Sequence, residues 1–431
     1  METPVIKVGL IGAGTVGSSL IRLLRDVNRV DMLIDAAGAR LELTTIAVRT
    51  LDKERPGVPP SLLTSDARGL VETADIDILV ELIGGVESTR ELIEVALRRG
   101  ITVVTANKAL MAAHGTELVA LAYAHGADLY YEAAVAGGIP ILRALRTSMA
   151  GERINRVMGI VNGTTNFILS KMTSEGSDYG DVLAEAQSLG YAEADPTADV
   201  EGFDAAAKVT ILSSLAFGTP LSGEVIFREG ITKIRSADVA YATRHGYVIK
   251  LLGIAERVGD HAVSRRVHVA MVPTRHPLAS VHGAFNAVFV EGAVSGPLMW
   301  LGQGAGGDPT AAAVLGDLVV AARNRVTHRC DAPLSVDETL QVFPIGELQS
   351  EFYLTVDVLD RPGVLATVAG IFGEHDVSIS SMEQSGFGDE ARLTFITHRA
   401  FESDIAATIE DLEQLDVVDS VGACIRIVGE E

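Results

Sequence analysis

The stretch VIKVGLIGAGTVGSSLIRLLRD, residues 5–26, limits the fold more than any other part of the chain. Its apolar run from Val5 to Ile11 has the length and composition of a buried strand, and the residues after Thr15 have helical spacing. Between the two lie Gly12, Gly14 and Gly17 in the pattern GxGxxG, with Ala13, Thr15 and Val16 at the intervening positions. A strand that turns straight into a helix at such glycines leaves backbone N–H groups free to meet a pyrophosphate. Without a ligand the same pattern is only a tight turn, so the neighbouring segments carry the decision.

Those segments alternate. After an insertion at about 28–40, LELTTIAVRT (41–50) reads as a strand, DIDILVELIGG as a strand, STRELIEVALRRG as a helix, ITVVTANK as a strand, ALMAAHGTELVALAYAHG as a helix and DLYYEAAV as a strand. This order predicts a doubly wound parallel sheet of the Rossmann type, which binds a dinucleotide. The end of the second strand reads the adenosine ribose, and there the chain has Arg49 in place of an acid, with Lys53 close behind. An acid would accept from the ribose hydroxyls, whereas arginine pairs with a 2′-phosphate, so NADP is favoured over NAD. Arg49 as a plain solvated loop residue is the alternative.

Ligands collect beyond the carboxyl ends of such strands, which places Thr105, Asn107 and Lys108 of VTANK near the nicotinamide. Lys108 can balance a substrate carboxylate or a cofactor phosphate; as an ordinary first-turn lysine it would oppose the helix dipole. In YYEAAVAGGIPIL, Gly137, Gly138 and Pro140 interrupt a strand and expose backbone carbonyls. GIVNGTTNFILSKM repeats the design, with Asn162, Gly163 and Thr164 leading into a helix.

Residues 191–212, YAEADPTADVEGFDAAAKVTIL, place five acids ahead of one lysine: Glu193, Asp195, Asp199, Glu201, Asp204 and then Lys208. A helix with Asp199 as its N-cap puts Asp204 and Lys208 on one face, four residues apart. Lys208 is the only charged residue from Ala205 to Phe217. A helix apolar nearly all round is buried, which shields the pair from water. It is then either a surface-type ion pair of little consequence or a catalytic pair.

Bulk properties limit the setting. The 431 residues and 48% hydrophobic content suffice for two to four domains, and a formal net charge of −22 argues against nucleic-acid or anionic-membrane partners. Cys330 and Cys424 form neither a CxxC pair nor a disulfide framework, which fits a reducing cytosol. With no basic leader and no apolar run of about 18 residues, the expectation is a soluble cytoplasmic protein. Charge also marks a boundary: residues 331–431 hold 21 Asp and Glu against four Arg and no Lys. The segment 331–350 has linker composition, and a separate module begins near Glu351.

Together, GLIGAGTVG, VTANKALMA, YEAAVAGGIPI, VNGTTNFIL, YAEADPTADVEGFDAAAKVTIL and GQGAGGDPTAAAVLGDL resemble the homoserine dehydrogenases, and YLTVDVLDRPGVLATVAGIF resembles the start of an ACT regulatory module. The likeness spans nearly the whole chain in order. It implies a Rossmann domain at 1–135 to which the chain returns at about 305–325, an α+β catalytic and dimerisation domain at 136–304, and a ferredoxin-like βαββαβ ACT domain at 351–431. It also implies reversible reduction of L-aspartate 4-semialdehyde to L-homoserine with NADPH or NADH, in a homo-oligomer. By that resemblance Asp204 and Lys208 are the catalytic pair, Glu193, Asp199 and Lys108 contact substrate, and Gly306 lies near the nicotinamide. The carbonyls of Glu132, Val135, Gly137 and Ile139 match a monovalent cation site, taken as sodium.

The chemistry agrees. Reducing an aldehyde needs a hydride and a proton without an acyl intermediate, so no cysteine nucleophile is required. A related semialdehyde enzyme forming an acyl phosphate would need a thiol, and neither cysteine has a nucleophile's context. A non-catalytic amino-acid sensor is the other alternative, against which the intact Asp204 and Lys208 argue. In the tail, the turn Asp360–Leu365 is the expected amino-acid site, with Asp360 for the ligand's ammonium and threonine as the expected effector.

Overall fold

The computed structural model describes residues 3–55, 57–221, 226–331, 336–337 and 339–429. They form two compact units, one of residues 1–157, 207–225 and 290–339, the other of residues 158–206, 226–289 and 340–431.

The first unit is built on a six-stranded parallel sheet. Its strands are β1 (Val5–Ile11), β2 (Arg40–Ala47), β3 (Leu63–Thr64), β4 (Ile78–Glu81), β5 (Thr102–Thr105) and β6 (Leu129–Tyr130), in the order β3-β2-β1-β4-β5-β6. The order reverses at β1, so a crevice opens beyond its carboxyl end. Val8, Leu10, Ile78, Val80 and Val104 are fully buried, as expected for strands covered on both faces. The segment read as an insertion carries a helix, Val30–Ala37, whose Leu33 and Ala37 join the core. A long helix, Gly307–Thr327, adds Ala311, Val314, Leu318 and Ala322 to the same core. β6 is shorter than DLYYEAAV suggests. The Glu132 amide donates to the Asp317 carboxylate at 2.8 Å, which draws the backbone off the ladder into a 3₁₀ turn, Glu132–Ala134.

In the second unit a sheet runs through Tyr247–Val258, Ala262–Pro273, Val418–Ile427, Gln349–Leu359, Glu390–Thr397 and Ile379–Phe387 in that order. The last four strands, with helices Val364–Glu374 and Glu402–Glu413, make the expected βαββαβ module in its ferredoxin-like order. Phe352, Leu354, Val356, Val368, Phe372 and Phe395 form its core. The module is also continuous with the sheet beside it: Ala270 and Met271 pair in parallel with Arg426 and Ile427. The Tyr353 hydroxyl donates to Asp238 at 2.7 Å beneath this junction.

Of the predicted linker, residues 332–335 and 338 lie outside the described residues. Farther along it, Gln341 and Val342 pair with Ala262 and Val263. Among the described residues no helix is long and apolar enough to cross a membrane.

Candidate active site

The glycine turn tests itself. Gly12 holds φ at +103°, and a Cβ there would lie 2.8 Å from the Leu82 carbonyl oxygen. A Cβ on Gly17 would lie 2.1 Å from the Gly12 oxygen. Those two glycines are required by the turn itself. Gly14 is not, because its φ of −80° suits any residue and a Cβ would meet nothing within 4 Å. The space it keeps open is space the chain does not fill. Helix Thr15–Arg25 starts there without a side-chain cap and without an acid in its first turn. Free N–H groups, the positive end of a helix dipole and room for a ligand together fit a pyrophosphate.

Arg49 and Lys53 are exposed beyond the end of β2. Their exposure is compatible with a 2′-phosphate contact and equally with a solvated loop, and Asp52 and Glu54 stand beside them. Thr105 ends β5 and is fully buried; its hydroxyl donates to Glu81 at 2.5 Å and accepts from the Asn107 amide at 3.0 Å. Glu81 also accepts from the Ile83 and Gly84 amides at 2.7 and 3.1 Å, fixing the loop after β4. Burial pushes its carboxyl above the usual range against these hydrogen bonds. Sequence reasoning passed over Glu81, although an acid ending an otherwise apolar strand was the available signal. Lys108 is half-buried at the first position of helix Lys108–Ala124, capped by Asn107.

The loop 132–139 is shaped by Ala136 and Gly137, both left-handed with φ of +55° and +53°. A Cβ on Gly137 would lie 2.4 Å from the Gly304 oxygen, so the segment 302–306 abuts this loop. Of the four carbonyls proposed for a cation, that of Glu132 accepts from Val135 N at 3.4 Å and that of Ile139 from Ile141 N at 2.8 Å. Each retains a second lone pair. The Glu132 side chain is occupied elsewhere, accepting from the Leu142 and Arg143 amides at 2.8 Å each. Gly306, with φ of +122°, begins helix Gly307–Thr327, whose Asp308 accepts from Ser19 at 2.7 Å and pairs with Arg22. This ties its start to the helix of the glycine turn.

The acidic stretch differs from expectation in one respect. Asp199 does not cap the long helix. A short helix, Thr197–Val200, is followed by Gly202, whose φ of +79° redirects the chain, and the long helix then runs Phe203–Phe217. Asp204 and Lys208 remain one turn apart on that helix, 6% and 7% exposed. Asp199 is half-buried and takes a different partner: the Asn162 amide nitrogen donates to Asp199 at 2.7 Å and to Asp204 at 2.9 Å. The Asn162 carbonyl meanwhile caps helix Gly163–Glu175, accepting from Thr165 N at 2.8 Å and Thr165 Oγ1 at 2.9 Å. Asn162 is thus the organiser of both carboxylates, a role its place before a helix only hinted at. Glu193 stays exposed on the preceding loop.

Both cysteines are free, and burial raises each thiol above its ordinary value, Cys424 to about 12. Neither is a ready thiolate nucleophile. No cluster of three His, Cys, Asp or Glu able to hold a metal occurs among the described residues.

A doubly wound sheet with this open glycine turn defines a dinucleotide-binding protein, to which a separate helix adds a buried aspartate–lysine pair. Comparison with known proteins gives the particular family. Family models match the homoserine dehydrogenase NAD-binding domain at residues 12–132, homoserine dehydrogenase at 140–319 and the ACT domain at 352–417. The homoserine dehydrogenase of Corynebacterium glutamicum is 50% identical over 98% of this chain and 95% of its own length. A crystal structure of the enzyme from Thiobacillus denitrificans superposes with a TM-score of 0.92 at 43% identity, covering 99% of each chain. A hyperthermophilic archaeal homoserine dehydrogenase in complex with NADPH matches 77% of this chain and 99% of its own, with a TM-score of 0.61 and 28% identity. The chain belongs to the homoserine dehydrogenase family and acts on a CH–OH group.

Proposed function

We propose that Lys208 is the proton donor and Asp204 its orienter in the interconversion of L-aspartate 4-semialdehyde and L-homoserine. The buried pair one helical turn apart carries this reading. A bound nicotinamide supplies or removes the hydride. As the carbonyl oxygen gains charge, the Lys208 ammonium stabilises it and gives up its proton, to most effect where water is excluded. Asp204, held by Asn162, keeps the ammonium charged and aimed. Glu193, Asp199 and Lys108 bind the polar groups of the amino-acid substrate.

Gly12, Ala13, Gly14, Thr15, Val16 and Gly17 hold the pyrophosphate, with Thr105, Lys108 and Gly306 nearer the nicotinamide. Arg49 favours NADPH over NADH, and the NADPH complex of the archaeal relative supports that order. The carbonyls of Glu132, Val135, Gly137 and Ile139 hold a monovalent cation, sodium by preference. The chain works as a cytoplasmic homo-oligomer, with residues 1–135, 136–304 and 351–431 as its cofactor, catalytic and ACT domains. Threonine binds at the turn Asp360–Leu365, where Gly363, at φ +94°, begins helix Val364–Glu374 without a side-chain cap.

The decisive test is Lys208→Ala. It should lower kcat by at least about 1000-fold, roughly 4 kcal/mol, while NADPH binding measured by fluorescence is unchanged. A loss of only about tenfold would remove Lys208 from the chemistry.

A further inference from the structure

Glu81 is a buried acid that the proposed proton transfer does not use. It ends β4, fully buried, with Ile11 of β1 on one flank and Thr105 of β5 on the other. The loop after it abuts the glycine turn: Leu82 N donates to the Ile11 carbonyl at 2.8 Å, and a Cβ on Gly12 would lie 2.9 Å from the Ile83 side chain. A doubly wound sheet takes a dinucleotide in two halves divided at its switch point, adenosine over one set of strands and nicotinamide over the other. Arg49 follows β2, in the first set; Glu81 and Thr105 end strands of the second.

The neighbours of the carboxylate are donors. Ile83 N and Gly84 N meet one oxygen at 2.7 and 3.1 Å, and the Thr105 hydroxyl meets the other at 2.5 Å. Such a set favours the ionised form. Among the described residues no lysine, arginine or histidine pairs with it. An anion buried without a counter-cation is costly, and a neutral glutamine would reach the same two loops without that cost. The tie between the loops therefore accounts for the side chain's length and leaves its charge unexplained.

We propose that Glu81 is a fixed negative charge that favours the oxidised over the reduced form of a nicotinamide held in this crevice. A nicotinamide ring is neutral when reduced and carries one positive charge once its hydride, with both electrons, has passed to the aldehyde carbon. Glu81 offsets that rising charge from a place where water does not screen it, while Lys208 gives its proton to the aldehyde oxygen. The acid thus acts at a distance, through its charge, and tilts the bound reactants toward the alcohol. The inference rests on the crevice being the nicotinamide site proposed above.

The test is equilibrium binding to the full chain without substrate, NADPH by its fluorescence and NADP⁺ by displacement of NADPH. Glu81→Gln should weaken NADP⁺ about fivefold more than NADPH. Glu81→Met is a second neutral variant with the same expectation, should Glu81→Gln not fold. Glu81→Asp keeps the charge on a shorter arm, and Thr105→Val removes the hydroxyl and leaves the charge; each should change the two affinities by equal factors. Equal weakening of both forms by the neutral variants would reduce Glu81 to a tie between loops and overturn the proposal, as would unchanged binding of both. A change of the same size in the ratio for Thr105→Val or Glu81→Asp overturns it too. A wild-type chain that binds neither form removes the nicotinamide site itself, whereas an unmoved ratio in a chain that binds both removes only the role of the charge.

Discussion

Two helix starts in this protein follow strand ends and look alike in sequence, yet they are used in opposite ways. At Gly14 the helix begins with no side-chain cap, and a Cβ there would meet nothing within 4 Å. At Asn162 the cap is supplied internally: the amide oxygen satisfies Thr165, and the amide nitrogen is turned outward to Asp199 and Asp204. In the proposed function the first start receives an anion from outside the chain. The second spends its own end on a side chain and so becomes an anchor for two acids.

That contrast can be broken at either end. The largest effect belongs to Gly14→Asp, which sets a carboxylate in the open space. It should raise the dissociation constants of NADPH and NADH on the order of 100-fold, about 2.7 kcal/mol, without lowering Tm. A fall in Tm of several degrees would mean that the space is filled by protein after all.

Next comes Asn162→Asp, which keeps a capping oxygen but replaces the donor amide with a third carboxylate. Turnover should fall roughly 30-fold, about 2 kcal/mol, and Tm should fall too, because the new carboxylate stands where the amide met Asp199 and Asp204 at 2.7 and 2.9 Å. Asn162→Ala should lose a similar share of kcat and also about 1 kcal/mol of stability with the cap. If Asn162→Ala melts like wild type, the cap contributes nothing and the contrast fails.

Arg49→Ala sharpens the first start. NADPH should weaken about tenfold while NADH is little changed, since only the former carries the 2′-phosphate. Equal losses in competition binding would make Arg49 a bystander.

The smallest effect concerns the support behind the second start. Asn166, on the Asn162-capped helix, donates to the Gly283 and Phe285 carbonyls at 2.9 and 3.0 Å and accepts from buried Lys250 at 2.9 Å. Burial pushes the Lys250 ammonium down from 10.5 to about 8. Between those values the unfolded chain holds the proton more often, so stability from this group rises with pH across that window. The Tm gap between wild type and Lys250→Met should therefore widen in favour of wild type from about pH 8 to about pH 10. A constant gap would place the Lys250 titration outside the window.

The glycine turn, the strand and helix order and the Asp204–Lys208 spacing were legible because each is a local pattern, read within a few residues. Asn162 was not, since its partners lie 37 and 42 residues ahead and no periodicity links them. Glu81 meets Thr105 only because β4 and β5 are neighbours in the sheet. The break at Gly202 was hidden by composition: alanines and aliphatics continue past it, and helix propensity alone moves the helix start too early. The least legible feature is the pairing of Ala270 with Arg426, which joins strands from distant parts of the chain without any motif.

That pairing has a practical side. Deleting residues beyond about 350 would strip strand Ala262–Pro273 of a neighbour and leave a stretch around Ala270 and Met271, both fully buried at present, as a raw hydrophobic border. Such borders recruit other chains and drive aggregation. The acidic tail thus also acts as a solubility guard for the protein. A shortened enzyme that precipitates or loses inhibition would be reporting a lost seal, and single substitutions such as Asp360→Ala read regulation more cleanly.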